Sequence, residues 1–575
     1  TPDNGVSINS FDRFNVPVAG AAFDNTTQGA SASVADVTGT EASRMEGTLE
    51  VLGARADVIV ANPNGFTLNG ARYQNIRGLV IVAGRRQAGT LDYDVAVGDG
   101  SIEIGSGGVV ADVRRMDLIA RTIRIDGNVG ETDSTPFLRF NATAGTGRAT
   151  INPNAVSVDS VDYITLSGRS QDTGPAVSLT LSEGAIVSGG RLTLTADGRG
   201  AGVVMAGQGL ASAGEFTMSA DGRISLGGAT AEGLTGVSLK SQDIDIIDSR
   251  LESDFEDVVL AADAQLTMVD TNISGTDISL SAGSDASVVG GTVDALQDLS
   301  VAAQSLTLTT LSENSIATLR AQGNADLTFG GDLTNNTGFV QAFGDLDVSV
   351  GGTLLNVLNL DDRNESVAGL NLATLQANGD LSLTAARLNN LGGLIRSGSA
   401  MTLGGGDITN ALARVGQVRT ARSCFLFLCR SYAVGAFQFS GGGIESDARL
   451  EIDLTGEFLN RGGTISALSG LSLQAASIDF QPLRYSNIYT LPKGPSTLFF
   501  GQRTRRIATF ETGKIFAPLL GFSVIARSGP ARFVGTDVEP LALLDGVAGA
   551  EIVAVPPEVI GANGRGFGVF SQVLN

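Results

Sequence analysis

The chain has no histidine and no tryptophan, and only two cysteines and three lysines, in 575 residues. Without histidine there is no Ser–His–Asp triad, no Cys–His pair, no His-ligated zinc and no His general base. Two cysteines cannot hold a four-ligand zinc site by themselves. Aromatic residues make up 5% of a chain that is 42% hydrophobic, so the apolar content is mainly Val, Ile, Leu and Ala. Those side chains fill narrow, regular cores. No run of 18 apolar residues occurs, so no segment reads as a membrane-spanning helix. Acidic side chains number 60 against 38 basic ones, and the net charge of −22 argues against a nucleic-acid binder.

What is abundant is glycine, 76 residues, set among short alternating apolar segments. From Leu192-x-Leu194 onward the pattern recurs at Phe216-x-Met218, Val237-x-Leu239, Val258-x-Leu260, Ile278-x-Leu280 and Leu299-x-Val301. Later copies are Leu381-x-Leu383, Met401-x-Leu403, Leu450-x-Ile452 and Leu471-x-Leu473. Alternation over about five residues is the period of a strand, and no helical stripe is sustained. A unit of about 21 residues cannot bury its apolar side alone and must stack on its neighbours. The leucine-rich-repeat pattern is not sustained, which leaves an all-β parallel β-helix, one coil per repeat. Asn314, Asn335 and Asn356 are spaced by 21, as are Asn389 and Asn410. They read either as hydrogen-bonded ladders between coils or as turn markers.

The beat lengthens at 357–375 and at 411–445, read as loops thrown out of the coil. It is lost after 481, where eight of the 14 prolines fall, so 481–575 reads as a different, Pro-richer module. Cys424 and Cys429 lie in the second loop. They are either unrelated buried thiols or, if the chain is exported, a local disulfide. The same loop gathers Arg422, Phe425, Phe427, Arg430 and Tyr432. These are either a binding patch on a scaffolded loop or aromatics covering the coil's flank with Arg to solubilise them. The chain starts at Thr1, so a processed protein is expected, with any signal peptide outside it.

Near the N-terminus, Gly5-Val6-Ser7-Ile8-Asn9-Ser10-Phe11-Asp12-Arg13-Phe14-Asn15-Val16 is followed by Ile59-Val60-Ala61-Asn62-Pro63-Asn64-Gly65-Phe66, then by Asp117-Leu118-Ile119-Ala120-Arg121-Thr122-Ile123. Asn62-Pro63-Asn64-Gly65 is by itself a tight turn. Together and in this order the segments resemble the secretion domain of two-partner-secretion exoproteins. That family includes filamentous haemagglutinin-like adhesins and contact-dependent growth-inhibition toxins. The resemblance spans roughly residues 1–250. Leu388-Asn389-Asn390-Leu391-Gly392-Gly393-Leu394-Ile395 and Phe458-Leu459-Asn460-Arg461-Gly462-Gly463-Thr464-Ile465 resemble the haemagglutinin-type repeats, placed at 251–480. Phe23-Asp24-Asn25-Thr26 departs from the paired Asn usual in the family, and Asn152-Pro153-Asn154 lacks the closing Gly.

The resemblance implies a right-handed β-helix without cofactors. It implies export to the cell surface by an outer-membrane partner transporter, with Asn62, Pro63, Asn64 and Gly65 as a secretion motif. It implies a non-enzymatic adhesin or display stalk for an unknown surface receptor, or the stalk of a contact-dependent toxin-delivery protein. A third reading, a β-helical polysaccharide-active enzyme, would need paired carboxylates such as Asp243 and Asp245. Ile244 and Ile246 claim the opposite, inner face, so those acids are expected in solvent.

Overall fold

The computed structural model describes residues 2–95, 100–130, 138–153, 155, 157, 163–167, 176–361, 366, 372–416, 419–425, 428–434, 438–492, 502–511, 514–518, 522–534, 536–539 and 550–553. Within 419–434 and 484–511, and at 550–553, it describes the backbone alone. There is no α-helix among the described residues. The chain divides into two compact units, Thr1–Asp285 with Val293–Leu296 and Ala286–Thr292 with Gln297–Asn575.

In the first unit each full coil gives one strand to each of three parallel ladders. The first ladder pairs Leu192 with Phe216, Phe216 with Val237, Val237 with Val258 and Val258 with Ile278. The steps are 24, 21, 21 and 20 residues, so the repeat read from the sequence is the coil. Leu192, Leu194, Phe216, Met218, Val237, Leu239, Val258 and Leu260 all stack inside. Each such side chain contributes about 1.5–3 kcal/mol by leaving water.

Four early first-ladder strands behave differently. Ala32–Val37, Ala56–Ala61 and Arg115–Ala120 are buried on both faces, as is most of Ile76–Val82. Two insertions cause this. Both leave between the first and second ladders, and they meet as an antiparallel sheet of Arg85–Arg86, Asp92–Asp94, Arg148–Ile151 and Ile164–Ser167. Tyr93, Tyr163, Ala149 and Ile151 of this sheet pack on Val34, Ile59, Val80, Val82 and Ile119. Double burial explains why these strands read as unbroken apolar runs rather than as alternation.

The second unit has the same three-ladder coil. Down its second ladder runs a column of fully buried asparagines: Asn335, Asn356, Asn390, Asn410 and Asn460. Each Nδ2 donates to the next Oδ1, at 2.9, 2.9, 2.7 and 2.8 Å. Phe480 and then Phe533 continue the column, with ring centroids 5.2 Å apart. The ladder expected from the sequence therefore exists with different members. Asn389 is not in it, because the coil there steps by 20, not 21, and brings Asn390 over Asn410. Asn314 is an exposed turn residue, because the step into Asn335 is 27 from Leu308. Asn460 was not anticipated.

At another corner, Asp298 Oδ1 accepts the Asn324 N–H, Asn324 Oδ1 that of Asp345, Asp345 Oδ1 that of Asp380, and Asp380 Oδ1 that of Ala400 (2.7, 2.9, 2.8 and 3.0 Å). Gly323, Gly344 and Gly379 precede these residues. A Cβ there would lie 2.4, 2.4 and 2.3 Å from the preceding coil's Asx oxygen. The recurring Gly-Asx pairs thus mark where one coil's side chain enters the next coil's backbone.

Three insertions lengthen the second unit's coils, and all three leave at the corner between the second and third ladders. The first separates Leu346–Val357 from Thr374–Ala377. The second separates Met401–Ala411 from Gly443–Ser446. The third is a hairpin, Leu483–Pro492 with Gln502–Glu511. After it the chain rejoins the coil: Lys514–Phe516 pairs with Thr464–Ala467, Phe522–Ala526 with Gly470–Ala475, and Ala531–Val534 with Ser477–Gln481. The beat fails after 481 because about thirty residues are inserted, and the strands that follow resume the same three ladders.

Candidate functional site

The turn Asn62-Pro63-Asn64-Gly65 closes the double-buried strand Ala56–Ala61 and opens Phe66–Leu68. The Gly65 N–H donates to the Asn62 carbonyl at 3.1 Å, as a four-residue turn requires. Gly65 has φ +96°, and a Cβ there would sit 2.4 Å from the Ser101 carbonyl oxygen. Only glycine meets both conditions.

The two asparagines do different work. Asn62 is fully buried. Its Nδ2 donates to the Glu41 carbonyl and to Ser43 Oγ, both at 2.9 Å, tying the turn to the neighbouring coil. Its Oδ1 accepts the Asn64 backbone N–H and the Asn64 Nδ2, both at 2.9 Å. Asn64 is exposed, and its Nδ2 also donates to the Gly39 carbonyl at 2.9 Å. The motif therefore presents one reachable side chain on a rigid, fully hydrogen-bonded base.

The first coil lies nearby. Val6–Phe11 pairs with Ala32–Val37, and the Gly5 and Phe11 carbonyls accept from Ala32 and Thr38. That phase points the backbone groups of Ile8 and Ser10 away from the ladder. Among the described residues no strand covers that edge. Phe14 stacks on Phe23 and meets Phe11 at a tilt, with centroids 6.0 and 5.2 Å apart, and the three rings line a groove with Asn9, Arg13 and Asp24. The departure at Phe23-Asp24-Asn25-Thr26 is accommodated by a single amide. Asn25 Nδ2 donates to the carbonyls of Ala30 and Ala54, and its Oδ1 accepts the Ala30 N–H. Asn152-Pro153 belongs to the accessory sheet, where the Ala155 N–H donates to the Asn152 carbonyl at 3.1 Å; Asn154 lies outside the described residues.

Two ion pairs lie on the coil strands beneath the accessory sheet, one with a half-exposed Arg77 and one buried throughout. Arg77 forks onto Asp57 at 2.8 and 2.7 Å, and Arg115 onto Asp117 at 2.6 and 3.0 Å. Asn141 donates to Asp117 at 2.8 Å, and the Arg115 guanidinium lies 5.0 Å from the Tyr163 ring centroid. Complete burial pushes the Asp117 carboxyl above its usual range, more than Arg115 and Asn141 draw it down. Burial likewise raises the Tyr73, Tyr93 and Tyr163 phenols.

The paired acids of the enzyme reading are occupied otherwise. Asp243 and Asp245 both face Arg223, at 3.5 and 3.0 Å, while the alternating Ile244 and Ile246 are buried. Asp254, Glu256 and Asp257 are exposed. Among the described residues no group of three or more acids or cysteines is placed to hold a metal.

Of the patch expected at 411–445, the backbone forms a hairpin, Arg419–Phe425 with Leu428–Val434. Cys424 stands directly opposite Cys429. Alternation puts Phe425, Arg430 and Tyr432 on one face and Arg422 on the other with the cysteines, so the five residues do not share one face. Phe427 lies outside the described residues.

Residues 1–226 match the family described as the TPS secretion domain. The filamentous hemagglutinin of Bordetella pertussis is 35% identical over 163 residues, covering 25% of this chain and 4% of that protein. The 16S rRNA endonuclease CdiA of Enterobacter cloacae is 25% identical over 469 residues, covering 74% of this chain and 13% of that protein. A solved structure, "Crystal structure of filamentous hemagglutinin secretion domain", is 29% identical and covers 45% of this chain and 89% of that one, with a TM-score of 0.37. This chain thus spans a small fraction of the length of the curated relatives it matches.

Proposed function

We infer, from a chain that belongs to the two-partner-secretion exoproteins through its N-terminal secretion domain, that it is the leading part of a large protein exported to the cell surface by a partner transporter of the outer membrane. The match over residues 1–226 carries this reading. The coil suits such export. A repeat that cannot bury its apolar side alone waits extended, then adds to a folded first coil as it emerges. The transporter's periplasmic part meets the first coil and the turn at Asn62-Pro63-Asn64-Gly65. Beyond the secretion domain the coils act as a non-enzymatic adhesin or display stalk.

A second reading is favoured by one observation: similarity to the endonuclease CdiA continues past the secretion domain, over 74% of the chain. In that reading the coils are the stalk of a contact-dependent toxin. A polysaccharide-active enzyme is not supported by Asp243 and Asp245, which both face Arg223.

The test is release into the medium when the chain is co-expressed with its transporter. Asn64→Ala removes the reachable amide and leaves the buried Asn62 frame. Release is expected to fall to a small fraction while the purified domain keeps its β spectrum. Normal release of this variant removes the turn from the export signal.

A further inference from the structure

Two of the second unit's insertions carry a charge opposite to that of the chain around them. From Ala411 to Gly442 there are four arginines and no acid. From Leu483 to Glu511 there are four arginines, one lysine and one acid, Glu511. The two stretches together are net +8 in a chain of net −22. Acids are about a tenth of the whole sequence, so their near-absence over these stretches is the stronger half of the pattern.

The fold brings the stretches together. Both leave their coils at the corner between the second and third ladders, both are antiparallel hairpins, and Leu428–Val434 approaches Leu483–Pro492 within 8 Å between Cα atoms. The accessory sheet of the first unit shows the same logic, in which insertions at one corner of coils two apart meet on the flank. Register then sorts the residues. In the first hairpin Arg419, Arg430 and Tyr432 share a face. In the second, Tyr489 stands opposite Arg505 and Leu491 opposite Arg503, so Tyr485, Tyr489, Arg503 and Arg505 share a face. Each hairpin therefore has a face with two arginines and at least one tyrosine.

We propose that the paired hairpins are a binding surface for a carboxylate-bearing polysaccharide, a polyuronate chain. Arginine forks pair two-to-two with planar carboxylates, and tyrosine faces stack on sugar rings. Spaced carboxylates along an extended chain fit arginines repeated on two neighbouring hairpins. The acidic remainder of the protein repels polyanions elsewhere and confines them to this flank. The inference depends on export only for where the partner is met; binding by the purified chain is independent of it.

The experiment measures binding of the whole chain to polygalacturonate, with heparin, single-stranded DNA and neutral dextran as comparisons. Two double variants are used, Arg503→Gln with Arg505→Gln and Arg419→Gln with Arg430→Gln, each checked for an unchanged β spectrum and thermal midpoint. The expected result is binding to polygalacturonate that weakens at least tenfold in either double variant and depends less steeply on salt. If one pair fails to fold, the other pair decides. No binding to polygalacturonate, or equal binding by the folded variants, overturns the proposal. Tighter binding of heparin or DNA also overturns it, and assigns the surface to a sulfated or nucleic-acid partner.

Discussion

Asn62 and Asn64 are two residues apart in one turn and have opposite relations to solvent. Asn62 spends its whole side-chain amide on the neighbouring coil and on Asn64, while Asn64 stands at the surface. A motif can be read from sequence as a turn; which of its amides faces out depends on Glu41, Ser43 and Gly39, some twenty residues earlier. The ion pairs under the accessory sheet were invisible for the same reason. Asp117 meets Asn141 only because the coil there steps by 24 residues. Its carboxyl is raised by burial, so the folded state takes up the proton before the unfolded state does. Stability from this group therefore rises as pH falls through the raised folded value toward the ordinary carboxylate range. Each pKa unit is worth about 1.4 kcal/mol. Arg115 and Arg139 face the carboxylate and oppose the shift. Asp117→Asn should flatten the rise in thermal midpoint as pH is lowered from neutral toward the ordinary carboxylate range. Equal slopes in the two proteins would show that the buried carboxylate does not change protonation on folding.

At the scale of strands and turns, alternation gave the coils correctly from Leu192 to Ile278 because each strand has one wet face. It gave the asparagine column only in part. A fixed count of 21 back from Asn410 lands on Asn389, while the coil itself steps 20 and lands on Asn390. Local sequence does not separate them, because each has a glycine three residues on, Gly392 and Gly393; only the second lies against the column. A Cβ at Gly393 would lie 2.2 Å from Asn356 Nδ2 and 2.6 Å from Asn390 Oδ1, and one at Gly463 would lie 2.7 Å from Asn460 Oδ1. Asn390→Leu should cost about 2–4 kcal/mol, because it strands the Asn410 oxygen and the Gly443 carbonyl. Asn389→Ser, on the outward side, should stay within about 0.5 kcal/mol. Denaturant unfolding checks both, and similar losses would contradict the register. The first hairpin makes a covalent expectation concrete. With two residues between Phe425 and Leu428, that pair flanks the turn, and the next pair out is the non-hydrogen-bonded kind. There Cα atoms are about 4.5 Å apart, within the range of a disulfide. We expect Cys424 and Cys429 to be oxidised to each other after export. Intact mass of the released chain should rise by two hydrogens on reduction, and ready alkylation of both thiols without reductant would rule the bridge out.

For the molecule as a whole, the period and the low aromatic content made the architecture legible. The extent of the coils was less legible, because the insertion at 483–511 hid the strands that follow it. An array of equivalent coils should tolerate removal of one. Deleting 381–400 sets Leu346 over Met401 and Asn356 over Asn410, keeping core and column in phase. The shortened chain should fold with a comparable midpoint, whereas deleting ten residues from the same coil should not; equal behaviour would mean that phase is not what the stack requires. The asparagine column has one more effect. Asn356 donates to the Ala373 carbonyl at 3.1 Å and Asn410 to that of Gly442 at 2.8 Å, so each amide clamps the two ends of an excursion that would otherwise pull its corner open. Once the ends are clamped, doubling a loop's length costs only about 0.6 kcal/mol. The corner then works as a socket: its contacts are fixed by the stack, and the sequence plugged into it is free to drift, lengthen or be exchanged. Diversity at this surface can thus accumulate by swapping loops, without a single change in the coils that carry them.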